Sequence, residues 1–457
     1  MRGAVDTILS ATGKTPIVKL QRIGAELEAE IYVKCEFLQP SGSGKDRVAR
    51  RMIDAAEASG ALTAGGTIVE ATTGNMGAAL AAVAAVRGYK CAFVVSDRAS
   101  AEKVAALRAY GAKVIVAPSA LPPDDPKSVR SVAHKLAEST PGAWLVDQYQ
   151  NELNPHGHSS VTGAEIWDQV GDELDVVVAG IGSGGTITGV GRYLKAKKRG
   201  ITIVGVDPVG SIVHGFVQQG RVIPPSAYEL EGIGVDFFPR TLDAGVLDDV
   251  VQVEDGEAFR MARDLVRSEG LFVGGSSGAA VAGAVAWAKR AGGARRVLVL
   301  LPDGAGGYLS KIFNDEWMRE HGFLDRRSGL GTVRDLLGEK GNETVITAKS
   351  TDRVRDVIAR MKSHGISQLP VVKDDALIGA VTEVDLLRYL VSGESSLDGE
   401  VEPLALSEYA TVASDLGIER LQGTLSDTRM AVVMDDDRVV GVVTKIDLIE
   451  YLARRAL

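Results

Sequence analysis

Short runs of β-branched residues alternate with amphipathic helical patterns from about residue 66 to residue 303 of this 457-residue chain. Strands that alternate with helices predict parallel sheets with helices on both faces, and therefore an α/β fold. The strand-like runs are 67–69, 91–95, 113–116, 176–179, 201–206 and 297–301, and the helical patterns include 46–58, 102–110 and 129–138.

Size and composition limit the kinds of protein that this chain can be. At roughly 100–200 residues per domain, the chain has room for two to four domains. Its 45% hydrophobic and 24% charged residues are ordinary globular proportions, so we expect the whole chain to fold. The net charge of −9, without a sustained run of Lys and Arg, argues against nucleic acid and favours small-molecule partners. The most apolar runs are shorter than the ~20 residues of a membrane span, so we expect a soluble protein.

The cysteines and histidines indicate the compartment and argue against a metal site. Cys35 and Cys91 are too few for a disulfide framework and too badly spaced for a Cys-based metal site. The first ten residues lack the apolar core of a secretory signal, so we expect a cytoplasmic protein. His156 and His158 flank Gly157 in a predicted loop, where we expect them to cap or solvate the chain. The histidines show no metal-ligand spacing, and no metal is expected.

Glycine clusters mark the places where predicted strands end and helices begin, at 72–77, 182–186 and 274–278. In open α/β sheets, ligands bind outside the carboxyl ends of the strands, so these loops should converge on one site. The second cluster can turn successive N–H groups toward a phosphate at the positive end of a helix. The alternative is a tight strand-to-helix turn without a ligand. The residues of this cluster are Gly182, Ser183, Gly184, Gly185 and Thr186.

One lysine and four polar side chains complete the candidate site. Lys45 follows the flexible segment 41–44, and it either forms a Schiff base with a cofactor aldehyde or is an ordinary exposed lysine. Thr72, Thr73 and Asn75 stand at the start of a predicted helix, where they suit a carboxylate or simply cap the helix. Ser276 is a further N-cap candidate.

The glycine clusters stop after residue 323, and an internal repeat follows. Residues 370–387 resemble residues 431–449, with Asp385 and Asp447 offset by 62 residues, and each copy indicates helix, strand, acidic turn, strand and helix. A unit that small buries little core alone, so the copies should pack as one pseudo-symmetric domain. The predicted divisions are a catalytic domain at 1–325, a linker at 326–331, and repeat copies at 332–392 and 393–457.

The motifs of the first region, in their order, resemble those of the fold-type II pyridoxal-phosphate enzymes, and within them the cystathionine β-synthases. The repeat resembles the tandem CBS domains, or Bateman module, of the same family. The resemblance therefore covers nearly the whole chain and implies a catalytic domain of two parallel-sheet subdomains. The motifs that carry it are 40–47, 72–77, 147–149, 182–186, 205–212, 231–237, 274–278 and 301–303.

The resemblance also implies a role for each candidate residue. Lys45 would form the Schiff base and move the α-proton, and Ser276 would face the pyridine nitrogen of the cofactor. A serine hydroxyl, unlike an aspartate, does not keep that nitrogen protonated, which weakens the electron sink and favours β-elimination. Asn75 would bind the ring oxygen of the cofactor, and Gly182 to Thr186 would bind its phosphate. Thr72, Thr73 and Gln148 would hold the substrate carboxylate. Tyr149, Gly232 and the neighbouring Val235 would lie on the thiol side, and some family members have Tyr at the position of Val235.

The implied reaction is β-replacement, in which L-serine and L-homocysteine give L-cystathionine and water. The alternative is a cysteine synthase that uses sulfide with O-acetylserine or O-phosphoserine. A third hypothesis, an adenosine-ligand sensor or scaffold without catalysis, is disfavoured by the intact Lys45. Animal members carry a haem-binding extension before the position of Thr7, and its absence here predicts an enzyme without haem.

The repeat contains two matching Thr-x-x-Asp segments, each between a predicted strand and a helix. They are Thr382 with Asp385 and Thr444 with Asp447. An aspartate there can accept both hydroxyls of a ribose, although plain N-capping is the alternative. By resemblance the ligand is an adenosine derivative, with S-adenosylmethionine as the first candidate, and the chain assembles into a homodimer or larger homo-oligomer.

Overall fold

The computed structural model describes residues 4–119, 121–122, 125–324, 330–340, 345–374, 376–392, 396–406, 409–428, 430–435 and 438–455. The chain forms two compact units, Met1–Leu324 and Asp325–Leu457. Residues 326–329 of the predicted linker and residues 393–395 at the predicted start of the second copy lie outside the described residues. Within the described part of the chain, no helix combines the length and the apolar character needed to cross a membrane.

The first unit alternates strands and helices, as predicted. In chain order it contains β1 (Ile17–Lys19), β2 (Glu30–Cys35), α1 (Asp46–Ala58), β3 (Thr67–Ala71), α2 (Asn75–Arg87), β4 (Lys90–Ser96), α3 (Ala101–Ala109), β5 (Lys113–Ala117), α4 (Val129–Ser139), β6 (Ala143–Leu145), α5 (Leu153–Gly157), a π-helix (His158–Gly163), α6 (Ala164–Val170), β7 (Val176–Gly180), α7 (Gly185–Lys197), β8 (Thr202–Pro208), α8 (Val213–Gln219), β9 (Asp249–Val253), α9 (Asp255–Glu269), α10 (Gly275–Ala291), β10 (Arg296–Leu301) and α11 (Asp315–Glu320).

Two sheets organise this unit. A four-stranded sheet has the order β5-β4-β3-β6, and a six-stranded sheet has the order β1-β2-β10-β7-β8-β9. All neighbouring strands in both sheets are parallel except β1 and β2. Apolar cores cover both faces of each sheet, which explains why strands such as β7 are continuous apolar runs. The predicted α/β fold with two parallel-sheet subdomains is confirmed.

The loops that matter for function leave the carboxyl ends of these strands. The β3–α2 loop contains Gly74 with φ of +130°, and the β7–α7 loop contains Gly184 with φ of +81°. Backbone with such φ values is strained for any residue that has a Cβ, so glycine is required at both turns. Each loop then delivers the positive end of a helix to the same region of the unit.

The second unit is built from two similar three-stranded sheets. Its elements are α12 (Val333–Lys340), β11 (Ala348–Lys349), α13 (Val354–His364), β12 (Gln368–Lys373), β13 (Ala376–Thr382), α14 (Glu383–Val391), β14 (Ala410–Ala413), α15 (Ile418–Asp427), β15 (Met430–Asp435), β16 (Arg438–Thr444) and α16 (Lys445–Ala453). The predicted order of helix, strand, strand and helix is present in both copies, while Asp375, Asp436 and Asp437 of the predicted acidic turns lie outside the described residues. Pro370 pairs with Ala380 in the first hairpin, and Val432 pairs with Val442 in the second.

The cores of the two copies share segments across the predicted division at 392/393. Helix α12 stands at the start of the first copy, but its Val333 and Leu336 pack in the core of the second copy with residues such as Tyr451. Val401, which belongs to the second copy by sequence, packs in the core of the first. The division of the chain into four segments stays a prediction. Each core of the second unit includes residues from both predicted copies.

Candidate active site

A cleft in the first unit collects residues from the ends of several strands and the starts of several helices. Its empty volume, including the part open to solvent, is about 670 Å³. Leu300 and Pro302 line it at the end of β10, and Glu36 lines it after β2. The residues from the sequence-based candidate list that line the cleft are Lys45, Asn75, Gly182, Ser183, Gly184, Thr186, Gly232 and Ser276.

Lys45 is the residue immediately before α1, and the loop that carries it is fastened to the end of β10. The backbone N–H of Gly44 donates to the carbonyl of Pro302 at 2.9 Å. Burial lowers the pKa of the Lys45 amine to about 8, while the charges of Glu70 and Asp303 oppose that shift. A neutral amine is therefore far more available here than on a surface lysine, as a nucleophile or a base requires.

The predicted phosphate loop joins β7 to α7 and is packed closely from behind. A Cβ on Gly182 would lie 2.6 Å from the carbonyl oxygen of Gly232, and one on Gly185 would lie 2.1 Å from Asn154 Oδ1. Neighbouring atoms therefore occupy the space that a Cβ at either glycine would need. The first N–H groups of a helix lack intrahelical partners, so this loop fits a phosphate group, and Lys45 in the same cleft fits an aldehyde.

His158 stands behind the phosphate loop, and the expectation that it merely caps or solvates a loop is wrong. It is buried in the π-helix, with Nδ1 2.9 Å from Thr162 Oγ1 and Nε2 3.1 Å from Thr186 Oγ1. Burial holds its pKa well below the usual value, so the ring is neutral, with one nitrogen donating and the other accepting. His158 thereby fixes the position of the Thr186 hydroxyl. His156 is exposed, as expected, but it lies in α5 rather than in a loop.

Asn75 and Ser276 both contact Asp303, to which sequence reasoning assigned no role. Asn75 Nδ2 donates to Asp303 Oδ2 at 2.8 Å, and Ser276 Oγ donates to Asp303 Oδ1 at 3.3 Å. Asp303 follows the carboxyl end of β10 and is buried. The rule that directed attention to the glycine loops would have found it, because it stands directly after an apolar strand.

Comparison with known proteins agrees with this geometry. Residues 8–303 match the family of pyridoxal-phosphate dependent enzymes, and residues 333–392 and 401–454 match the CBS domain. The cystathionine beta-synthase of Apis mellifera is 37% identical, over 98% of this chain and 90% of that protein. This chain belongs to the cystathionine β-synthase family.

Two further relatives place the chain within this family. The cystathionine beta-synthase of Saccharomyces cerevisiae is 34% identical, over 98% of this chain and 97% of that protein. The crystal structure of an O-acetylserine dependent cystathionine beta-synthase from Helicobacter pylori covers 67% of this chain and 98% of its own, with 38% identity and a TM-score of 0.62. The Apis mellifera and Saccharomyces cerevisiae relatives each match 98% of this cystathionine β-synthase family member, so the similarity extends over both of its units.

Of the residues predicted to hold the substrate carboxylate and the thiol, Gly232 lines the cleft, whereas Thr72, Thr73, Gln148 and Tyr149 lie around it. Thr72 Oγ1 accepts the backbone N–H groups of Gly74 and Gly77 at 3.0 and 3.3 Å, so it caps α2, and Thr73 beside it is half-buried. Gln148 Nε2 donates to the Ala71 carbonyl at 3.4 Å. Their substrate roles stay predictions for this family member.

On the predicted thiol side, Tyr149 and Val235 are both engaged in packing. The ring of Tyr149 packs edge-on against Phe237 with centroids 5.1 Å apart. Val235 is buried in an apolar core and is absent from the lining of the cleft, and its place on the thiol side stays a prediction. The thiol-side role of Tyr149 stays a prediction.

Glu70 is a buried carboxyl beside the predicted substrate loop, and it was missed because its environment is set by tertiary packing. Burial and the nearby Asp147 raise its pKa to about 8. Its Oε1 accepts the backbone N–H of Gln148 at 3.4 Å, while Oε2 has no partner among the described residues. The Glu70 carboxyl therefore keeps its proton to a higher pH than an exposed glutamate does.

A buried ion-pair network holds the start of α1 in place. Arg47 donates from Nε to Glu36 Oε2 at 2.6 Å and from Nη1 to Glu165 Oε2 at 2.8 Å. Lys34, also buried, donates to Glu165 Oε1 at 2.5 Å. The network joins α1 to β2 and α6, two residues beyond Lys45.

The four predicted regulatory residues form two equivalent capping boxes. The hydroxyl of Thr382 accepts the N–H of Asp385, whose carboxylate accepts the N–H of Thr382 at 3.0 Å. Thr444 and Asp447 repeat the arrangement at the start of α16. Asp447 Oδ1 also lies 2.8 Å from Lys340 Nζ, an ion pair from α12. N-capping is thus present at both positions, and the ligand role stays a prediction.

Proposed function

We propose that this chain catalyses the β-replacement of L-serine by L-homocysteine to give L-cystathionine and water, with pyridoxal phosphate bound in the cleft of the first unit. The observation that carries the proposal is the placement of the Lys45 amine in one cleft with the glycine loop at the start of α7. Membership of the cystathionine β-synthase family supports the same reaction.

The residues around the cleft divide the work of holding the cofactor. When bound, pyridoxal phosphate supplies an electron sink for charge that develops at the substrate α-carbon. The N–H groups from Gly182 to Thr186 would hold its phosphate, Lys45 would attach it covalently, and Asn75 and Ser276 would fix its ring.

Lys45 also carries the proton chemistry. Its neutral amine would take the proton from the α-carbon of serine and pass it to the β-hydroxyl, which leaves as water. Homocysteine would then add through its sulfur at the β-carbon, and its thiol proton would pass to Lys45 and from there to the α-carbon. Thr72, Thr73 and Gln148 would hold the substrate carboxylate, and Tyr149 and Gly232 would flank the thiol.

A product assay tests this function. Purified protein with pyridoxal phosphate is given L-serine, O-acetylserine or O-phosphoserine, each with homocysteine or with sulfide, and the products are quantified by mass spectrometry. We expect cystathionine from serine and homocysteine as the main product. Cysteine formed only from sulfide and an activated serine would refute the proposal and establish the cysteine-synthase alternative. The absorption spectrum of the same sample checks the prediction that the enzyme contains no haem.

We further propose that the CBS module binds an adenosine derivative, with S-adenosylmethionine as the first candidate. The support is the matching position of Asp385 and Asp447, each at a strand-to-helix junction of a matched CBS domain. The proposal includes assembly as a cytoplasmic homodimer or larger homo-oligomer.

Thermal unfolding measures this binding directly. A ligand present at 100 times its Kd stabilises the folded module by about 2.7 kcal/mol, so S-adenosylmethionine or AMP should raise the melting temperature. Asp385→Ala and Asp447→Ala should reduce the shift in melting temperature without changing the basal rate. Asp398 is an exposed acid of the same unit, and Asp398→Ala should leave the shift as large as in wild type. No shift with either ligand would exclude adenosine sensing.

A further inference from the structure

Asn154 in α5 lies between the predicted phosphate loop and the segment that carries the predicted substrate residue Gln148. Its side chain is fully buried. Its Nδ2 donates to the backbone carbonyl of Gln148 at 2.9 Å and to Ser183 Oγ at 3.1 Å. One amide group therefore joins a residue predicted to hold the substrate carboxylate to a residue predicted to hold the cofactor phosphate.

The carbonyl of Gln148 fixes the orientation of the Asn154 amide. A carbonyl only accepts hydrogen bonds, so the amide must turn its nitrogen toward it. An amide nitrogen carries two hydrogens and only donates, so one hydrogen serves each of its two contacts. The Ser183 hydroxyl is thus the acceptor from Asn154, and its own hydrogen is not used in this contact. Since Ser183 lines the cleft, that hydrogen is available to a phosphate oxygen there.

Close packing between α5 and α7 holds Asn154 in this position. A Cβ on Gly185 would lie 2.1 Å from Asn154 Oδ1 and 2.5 Å from its Nδ2. One turn further along α7, a Cβ on Gly189 would lie 2.3 Å from the carbonyl oxygen of Pro155. The two glycines allow the helices to approach this closely, and the packing leaves the amide little freedom to change partners.

Thr241, which is also buried, makes a second connection between the same two segments. Its hydroxyl donates to the backbone carbonyl of Ser183 at 2.5 Å. Its backbone N–H donates to the carbonyl of Tyr149, the residue after Gln148, at 3.3 Å. The separation between the phosphate loop and the segment 148–149 is therefore set by two residues rather than by one contact.

We propose that Asn154 is a positioning residue that couples the phosphate site of the cofactor to the carboxylate site of the substrate, through Ser183 and Gln148. This inference rests on the proposed function, because it takes Ser183 as a phosphate ligand and Gln148 as a substrate ligand. The backbone of Gln148 cannot shift without disturbing Asn154, and Asn154 cannot shift without disturbing Ser183. The substrate is thereby held at a set distance from the cofactor, as reaction between two bound molecules requires.

Two binding constants of the reconstituted full-length enzyme test this inference. The Kd of pyridoxal phosphate is measured by fluorescence, and the apparent Kd of L-serine is measured from the change that serine causes in the absorption of the bound cofactor. Asn154→Ala should weaken both by about two- to tenfold, the range for the loss of one hydrogen bond at each site. His156→Ala changes an exposed residue of the same helix and should leave both constants as in wild type.

Double variants separate positioning from a general loss of packing. In the Ser183→Ala background, Asn154→Ala should no longer affect the cofactor Kd but should still weaken serine binding, and in the Gln148→Ala background the reverse should hold. Equal effects in all backgrounds, or unchanged constants in Asn154→Ala, would overturn the inference. If Asn154→Ala fails to fold, Asn154→Ser fills more of the same space but is too short to reach both acceptors, so it should give the same pattern. A wild-type protein that takes up no cofactor, or whose bound cofactor does not respond to serine, would instead refute the proposed function.

Discussion

Replacing Lys45 by alanine is expected to reduce cystathionine formation by at least about 10²- to 10⁴-fold, the range for loss of a positioned acid–base group, with the loss of covalent attachment in addition. The physical reason is that the amine is buried in the cleft with a pKa lowered to about 8, and no other described lysine lines it. The measurement is the initial rate of cystathionine formation, together with mass spectrometry of the reduced protein for a covalent cofactor adduct.

Two variants control this experiment. Lys45→Arg keeps a positive charge but cannot form a Schiff base, so it should lose activity and the adduct as completely as alanine does. Lys127→Ala changes an exposed lysine and should behave like wild type. Retained turnover in Lys45→Ala, with a normal melting temperature, would contradict the assignment of Lys45.

Replacing Arg47 by alanine is expected to lower the free energy of unfolding of the first unit by about 3–5 kcal/mol, because it leaves buried charge without its partner. Both Glu36 and Glu165 lose their contacts with the guanidinium. Denaturant-induced unfolding monitored by tryptophan fluorescence measures the loss. Cofactor affinity should fall as well, since α1 carries the lysine loop at its start.

An exposed arginine on the same helix provides the matched control. Arg50 lies half-exposed and reaches Asp54 only at 3.9 Å, so Arg50→Ala should change stability by less than about 0.5 kcal/mol. Arg47→Lys keeps the charge but not the forked geometry and should fall between the two. Equal stabilities for Arg47→Ala and Arg50→Ala would show that the buried network does not hold the unit together.

Much of the catalytic fold could be predicted from local pattern. The first helix is predicted at the bounds that the structure has, the pattern at 102–110 is shifted by one residue from α3, and the pattern at 129–138 ends one residue before α4 does. Lys45, the glycine loop and Ser276 converge because all of them stand at strand ends or helix starts, where topology alone decides which residues meet.

The contacts that were missed depend on packing that no local pattern reports. The role of His158 depends on its burial at the start of the π-helix and on its contact with Thr186 from α7, a distant part of the sequence. The raised pKa of Glu70 comes from burial by neighbouring elements, and a glutamate in a predicted strand gives no indication of such burial. Asp303 was within reach, but its partners come from α2 and α10, far away in sequence.

The repeat illustrates a different limit of sequence comparison. Aligning the two copies identifies the equivalent strand and helix after the turn, but it places Pro370 opposite Ala431, whereas the hairpin registers make Pro370 equivalent to Val432. It does not say which copy a flanking helix packs against. The placement of α12 in the core of the second copy is a property of the assembled module that no comparison between the copies could report.

That placement has a consequence for how the protein is made. The apolar face of α12 finds its partner Tyr451 only after about 110 further residues have been synthesised. At roughly 5–20 residues per second, the helix waits on the order of 5–20 s on the ribosome with its face uncovered. A nascent chain stopped between the copies would keep Val333 and Leu336 exposed. Premature termination in this region should therefore yield an aggregation-prone, chaperone-dependent product rather than a shortened enzyme with half a module.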